Sequence, residues 1–137
     1  MKSTLLFGVA AAAVLAAAAA RAAPPPSLGG TTWTVQANRA AAQLVITQQG
    51  GPGDNAGTEC PQIFGTIGAD PIYGWYCWDV GRIHFLHNNL VSGATVRVFT
   101  GNLSDEVIGQ PMYMGGTVTV VDPAFGANGE YSFSALK

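Results

Sequence analysis

The sequence predicts an all-β domain: an eight-stranded antiparallel up-and-down barrel, with a two-sheet β-sandwich as the competing arrangement. Three observations carry the prediction. No window from Thr31 onward shows a sustained helical period. Clusters of Gly, Asn, Asp and Pro recur at regular intervals. Short β-branched and aromatic runs lie between those clusters, which is how sandwiches and small barrels read.

The first element is not part of that domain. Lys2, the uninterrupted apolar or small run Leu5–Ala20 and the Ala20-Arg21-Ala22 site read as an export signal over residues 1–22. Lys2 and Arg21 leave with it, so four basic residues face eight acids and the net charge becomes −4. A nucleic-acid binder would show a basic face, so that partner class is excluded. The remaining length fits one domain, and no other segment is long enough to span a bilayer. The expected location is the periplasm or the medium, and the Ala-rich signal suggests a bacterial source.

Residues 23–30 form a leader in which Pro24, Pro25 and Pro26 bar helix and favour an extended chain. The single domain then covers residues 31–137. Its predicted strands are Thr31–Ala37, Ala41–Gln48, Pro61–Ile67, Ile72–Trp78, Arg82–Asn88, Ala94–Thr100, Met112–Val121 and Gly129–Leu136. The best helix candidate, Asn38–Val45, is Ala-rich but lacks a clean 3.6 period and runs into Leu44-Val45-Ile46-Thr47. Short links pair sequential strands antiparallel, and closing such a meander removes both sheet edges.

Cys60 and Cys77 are the only cysteines. In an exported chain they read as one disulfide, the alternative being two buried thiols. The turn cluster Gly68-Ala69-Asp70-Pro71 lies midway between them. A hairpin folding there sets Cys60 opposite Cys77, Gln62 opposite Trp75 and Phe64 opposite Tyr73. A second hairpin is expected to turn at Asn89–Gly93.

Alternation assigns the faces. The predicted interior is Trp33, Val35, Leu44, Ile46, Ile63, Ile83, Phe85, Val96, Val98, Val118, Val120, Tyr131 and Phe133. Tyr73 and Trp75 share a face with Phe64, but alternation in that hairpin does not separate apolar from polar. They belong either to the core or to an exposed aromatic patch. Ile83, Phe85 and His87 share one face, and Arg82, His84 and Leu86 the other. His84 and His87 therefore cannot hold one metal ion together. Arg82, His84 and Arg97 are placed to form a small cationic patch that an anion or carboxylate ligand could use, the alternative being ordinary cross-strand pairing with acids.

Catalytic patterns are absent. Asp105-Glu106 and Asp122 fall in loops, and no serine has a nucleophile-elbow context. The Gly50–Gly57 stretch lacks the Lys-Ser/Thr ending of a phosphate loop. No enzyme, cofactor or metal is expected.

Gly30-Thr31-Thr32-Trp33 opens the first strand. Together with Trp33-Thr34, the Leu44–Thr47 strand and Phe64-Gly65-Thr66-Ile67, it resembles the calycin group: lipocalins, avidins and small bacterial metalloprotease inhibitors. The likeness runs loosely over residues 28–137. It implies a closed barrel that holds a small ligand. The inhibitors resemble this chain in plan as well, with a signal, a leader, one disulfide and a compact barrel. The expected function is an exported, non-catalytic barrel that binds a small apolar or aromatic molecule. Its candidate wall residues are Trp33, Phe85, Tyr73, Trp75 and Tyr131. The alternative is a protein-interaction module such as a protease inhibitor, with Ala23–Gly30 entering the enzyme's cleft.

Overall fold

A computed structural model describes residues 22–51, 59–88, 95–122 and 128–137. The export signal, most of the Gly-rich loop after the second strand and the Asn89–Gly93 turn lie outside the described residues. The strands are β1 (Thr31–Ala37), β2 (Ala40–Gln49), β3 (Gln62–Ile67), β4 (Asp70–Cys77), β5 (Arg82–Asn88), β6 (Val96–Leu103), β7 (Tyr113–Val121) and β8 (Gly129–Leu136). Each pairs antiparallel with its chain neighbour, and β1 pairs with β8 to close the barrel. The sandwich alternative does not form, because the β1–β8 ladder pairs the two strands that would otherwise be edges.

Tight turns account for the sequential pairing. Between β1 and β2 the loop is Asn38-Arg39, with φ of 43° and 66°. Two central residues at positive φ make the primed turn that matches strand twist. Between β3 and β4, Gly68 supplies φ of 59° at the first central position. The register there is Gln62 with Trp75, Phe64 with Tyr73 and Ile67 with Asp70, as the cysteine spacing predicts.

Strand glycines let neighbouring backbone approach closely. A Cβ on Gly74 would lie 2.0 Å from the His84 carbonyl oxygen, and one on Gly116 would lie 2.1 Å from that of Thr100. Neighbouring backbones approach these positions too closely for any side chain. Glycine in this chain thus marks close backbone approaches as well as turns.

The interior is packed through most of its height. Trp33, Leu44, Ile46, Ile63, Tyr76, Ile83 and Phe85 are fully buried. Phe85 stacks on Phe99 at 4.6 Å between ring centroids, and Phe99 meets Phe133 edge-on at 5.2 Å. Burying each large side chain stabilises by about 1.5–3 kcal/mol.

The predicted interior needs correction at β6. Phe99, Gly101 and Leu103 are buried, whereas Val96 and Val98 are only partly covered. The strand alternates in either phase. Facing Val96 and Val98 inward would also bury Thr100 and Asn102, while the observed phase buries an aromatic ring and a leucine. Its cost is an inward Arg97, placed at the rim where water reaches it. β6 also runs on to Leu103, past the predicted end at Thr100. Tyr131 has interior parity but lies at the rim and is 36% exposed, and Val120 is only partly buried there. In β4, Ile72 and Tyr76 point inward, so Tyr73 and Trp75 lie on the outer wall.

The end of the barrel where β1 begins is closed by the leader. Leu28, its one large aliphatic residue, is fully buried. The Gln49 side chain accepts from Leu28 N at 2.7 Å and donates to the Pro26 carbonyl at 3.0 Å. Tyr76 Oη donates to the Pro25 carbonyl at 2.7 Å. Burial, followed by the Glu106 charge, pushes the Tyr76 phenol well above its ordinary range, so it stays a donor. Trp33 Nε1 donates to Thr31 Oγ1 at 2.8 Å, and that hydroxyl donates to the Leu28 carbonyl at 2.6 Å.

At the same end Cys60 and Cys77 form a disulfide, with Cα atoms 3.9 Å apart. Tyr76 N donates to Pro61 O, and Trp78 N to Glu59 O. The cysteines thus occupy the closer, non-hydrogen-bonded pair geometry between those two bonds. A disulfide is compatible with an oxidising, exported location. Among the described residues no helix is long and apolar enough to cross a membrane.

Candidate functional site

A mouth remains at the opposite end, where β1, β3, β5 and β7 finish. Side chains near the barrel axis are small there. Ala37 ends β1, and Ala40 and Ala42 open β2. With Val35, Ile67 and Phe99 they form the apolar walls of a cavity of about 290 Å³. Asp70, His87 and Arg97 form its polar wall. A second hollow of about 220 Å³, reaching Asn38, Val118 and Tyr131, meets the first at Ala37, Ala40 and Arg97.

The polar wall follows from register. His87 and Arg97 are direct cross-strand partners on β5 and β6. Asp70 opens β4 beside β5, where Ile72 pairs with His87. All three inward positions fall at one level of the barrel. His87 Nε2 lies 3.2 Å from Asp70 Oδ2, and Nδ1 lies 3.4 Å from Arg97 Nη1. His87 is 5% exposed. Burial holds its imidazole below the ordinary value, and the Arg97 charge pushes the same way against the Asp70 hydrogen bond. The neutral ring therefore donates from Nε2 to Asp70 and accepts at Nδ1 from Arg97. Both ring nitrogens are engaged, so His87 orients its neighbours and has no free lone pair for proton abstraction.

This arrangement predicts a pH dependence of stability. The folded-state pKa of His87 is depressed, so between it and the ordinary value of about 6.5 the unfolded chain binds more protons. Stability is then complete above about pH 6.5 and falls as the pH drops toward the folded-state value. Urea midpoints at pH 7.5, 6.5 and 5.5 should decline over the lower interval in the wild type. In His87→Gln the decline should be smaller, and an equal decline in both proteins would assign it to other groups.

The five predicted wall residues are not brought together. Trp33 plugs the closed end, Phe85 lies in the packed interior and Tyr131 stands at the rim of the smaller hollow. Tyr73 and Trp75 are on the outer surface, 54% and 46% exposed. There Trp75 stacks on His84 at 4.5 Å, and His84 Nδ1 meets Thr100 Oγ1 at 2.9 Å. The two histidines do face opposite ways. The expected Arg82–His84–Arg97 patch does not form, because the phase of β6 turns Arg97 inward to His87. Among the described residues no group of three His, Cys, Asp or Glu could hold a metal ion. Asp105 and Asp122 lie at opposite ends of the barrel and do not converge.

Sequence reasoning missed the Asp70–His87–Arg97 array. Its one available signal was the inward parity of His87 with Ile83 and Phe85. Comparison with protein-family models, curated proteins and solved structures finds no match.

Proposed function

We propose that this chain is an exported, non-catalytic binding barrel whose open mouth takes a small, largely apolar molecule. One observation carries the reading. A barrel packed with large side chains elsewhere has three alanines at its mouth and a cavity of about 290 Å³ there. That volume lies at the small end of ligand pockets, and a few converging polar groups on an apolar wall are their usual composition. Eight-stranded barrels of this kind hold one small ligand or fill with side chains. This one does both, at different levels. The disulfide and the signal-like residues 1–22 support an oxidising, exported location.

Titrating neutral 3-phenylpropanol against the purified protein, followed by NMR, tests the reading. Saturable shifts are expected at the methyl groups of Ala37, Ala40 and Ala42. Ala42→Phe should fill the cavity and abolish them. The reading fails if nothing saturates, or if Ala42→Phe binds as well as the wild type. The inhibitor alternative calls for a leader free to enter a cleft. Here Pro25, Pro26 and Leu28 are bonded to the barrel, so that alternative draws no support from their geometry.

A further inference from the structure

We propose that the mouth selects a small monocarboxylate, with Arg97 gripping the carboxylate and the alanine-lined wall taking the apolar body. This rests on the mouth being a ligand site and adds the chemical class of the ligand.

Three observations point to it. First, Arg97 borders both hollows and faces inward from the half-buried rim, which holds its guanidinium at the cavity while water still reaches it. Among the described residues, the Asp70 carboxylate hydrogen-bonds to His87, and no ion pair joins it to Arg97. The partner of Arg97 is His87 Nδ1, a neutral acceptor. A guanidinium presents five N–H donors in a planar fork. One is directed at His87, which leaves a pair free to take both oxygens of a carboxylate.

Second, the Asp70–His87 bond orients the guanidinium. Asp70 fixes the imidazole through Nε2, and the lone pair on Nδ1 then holds one edge of Arg97. A cation restrained in this way loses less rotamer freedom when it binds a ligand.

Third, the charge count favours a single negative charge. Asp70, neutral His87 and Arg97 sum to zero, with Asp70 on the far side of the imidazole. One incoming negative charge is matched by Arg97. A second would meet the field of Asp70 with no further cation among the described residues lining this cavity. In the same cavity the side chains of Ala37, Ala42, Ile67 and Phe99 offer only carbon, which suits a short alkyl or aryl body.

The test is calorimetric titration of 3-phenylpropanoate and its neutral isostere 3-phenylpropanamide at pH 7. The wild type should prefer the acid by about tenfold or more, as charge-assisted bonds of this kind allow. In Arg97→Met, which keeps the apolar stem, amide affinity should persist while the acid's advantage falls within about twofold. Persistent amide binding also shows that the variant is folded. In His87→Phe the acid's advantage should shrink by less. Arg39→Gln, at the exposed β1–β2 turn, should leave it unchanged.

Equal binding of acid and amide by the wild type overturns the carboxylate inference and leaves the mouth as an apolar site. Loss of the advantage in Arg39→Gln but not in Arg97→Met overturns the assignment to Arg97. Tighter binding of 2-phenylethyl phosphate than of the acid overturns the single-charge argument. If neither the acid nor the amide binds, the ligand-site reading itself fails.

Discussion

Trp33→Ala should lower the free energy of unfolding by about 3–5 kcal/mol, the range for deleting a large buried aromatic. Trp33 is fully buried at the closed end, so its removal opens a cavity that neighbouring strands, pinned by their ladders, cannot fill. It also removes the indole N–H from Thr31 Oγ1, a hydroxyl that links the leader to β1. Both effects act in the same direction. Urea denaturation with an unchanged slope is the measurement, and Trp75→Ala is the control. Trp75 is 46% exposed, and its loss should cost about 1 kcal/mol or less. A comparable loss in both variants would mean that the closed end is not packed as described. Ligand affinity at the mouth should survive Trp33→Ala in the folded fraction, because Trp33 does not line that cavity.

Replacing both cysteines with serine should cost about 3 kcal/mol, from the chain entropy returned to the unfolded state when a loop of this length is no longer closed. The bridge spans a sequence separation of 17. Reducing the wild type should produce a similar drop in the urea midpoint. The β3–β4 register should persist in the double variant, since the pairing of Gln62 with Trp75 and of Phe64 with Tyr73 depends on the turn and the ladder. NMR contacts across those pairs would check this. A shifted register would mean that the disulfide, rather than the Gly68-Ala69 turn, sets it. A loss well below 1 kcal/mol would show that the hairpin is already closed in the unfolded ensemble.

These two effects differ in how legible their causes were. The cysteine pair and the turn cluster midway between them were both local, and together they led to the observed register. Trp33, Leu44, Ile46, Ile83 and Phe85 followed from alternation because each strand offers one apolar phase. β6 offers two. Val96 and Val98 make one apolar phase, and Phe99 and Leu103 make the other. What settles it is the ring of Phe85 on β5 and that of Phe133 on β8, both waiting to pack on Phe99. The outward reading of Arg97 went wrong with that phase, and the carboxylate clamp was lost with it. The leader's place was not legible for a related reason. Three prolines describe an extended segment well, but nothing in them shows that Leu28 finds a hole at the barrel's end.

The sequence by itself determined the strand number, the sequential antiparallel order, the disulfide and one hairpin register. Each rests on a period, a turn or a spacing contained within a short stretch of chain. Only the tertiary structure decided closure, the direction faced by β6, the leader's place as a lid and the meeting of Asp70, His87 and Arg97. Those depend on what distant strands set opposite one another, and an alternating pattern with two apolar phases does not carry that information.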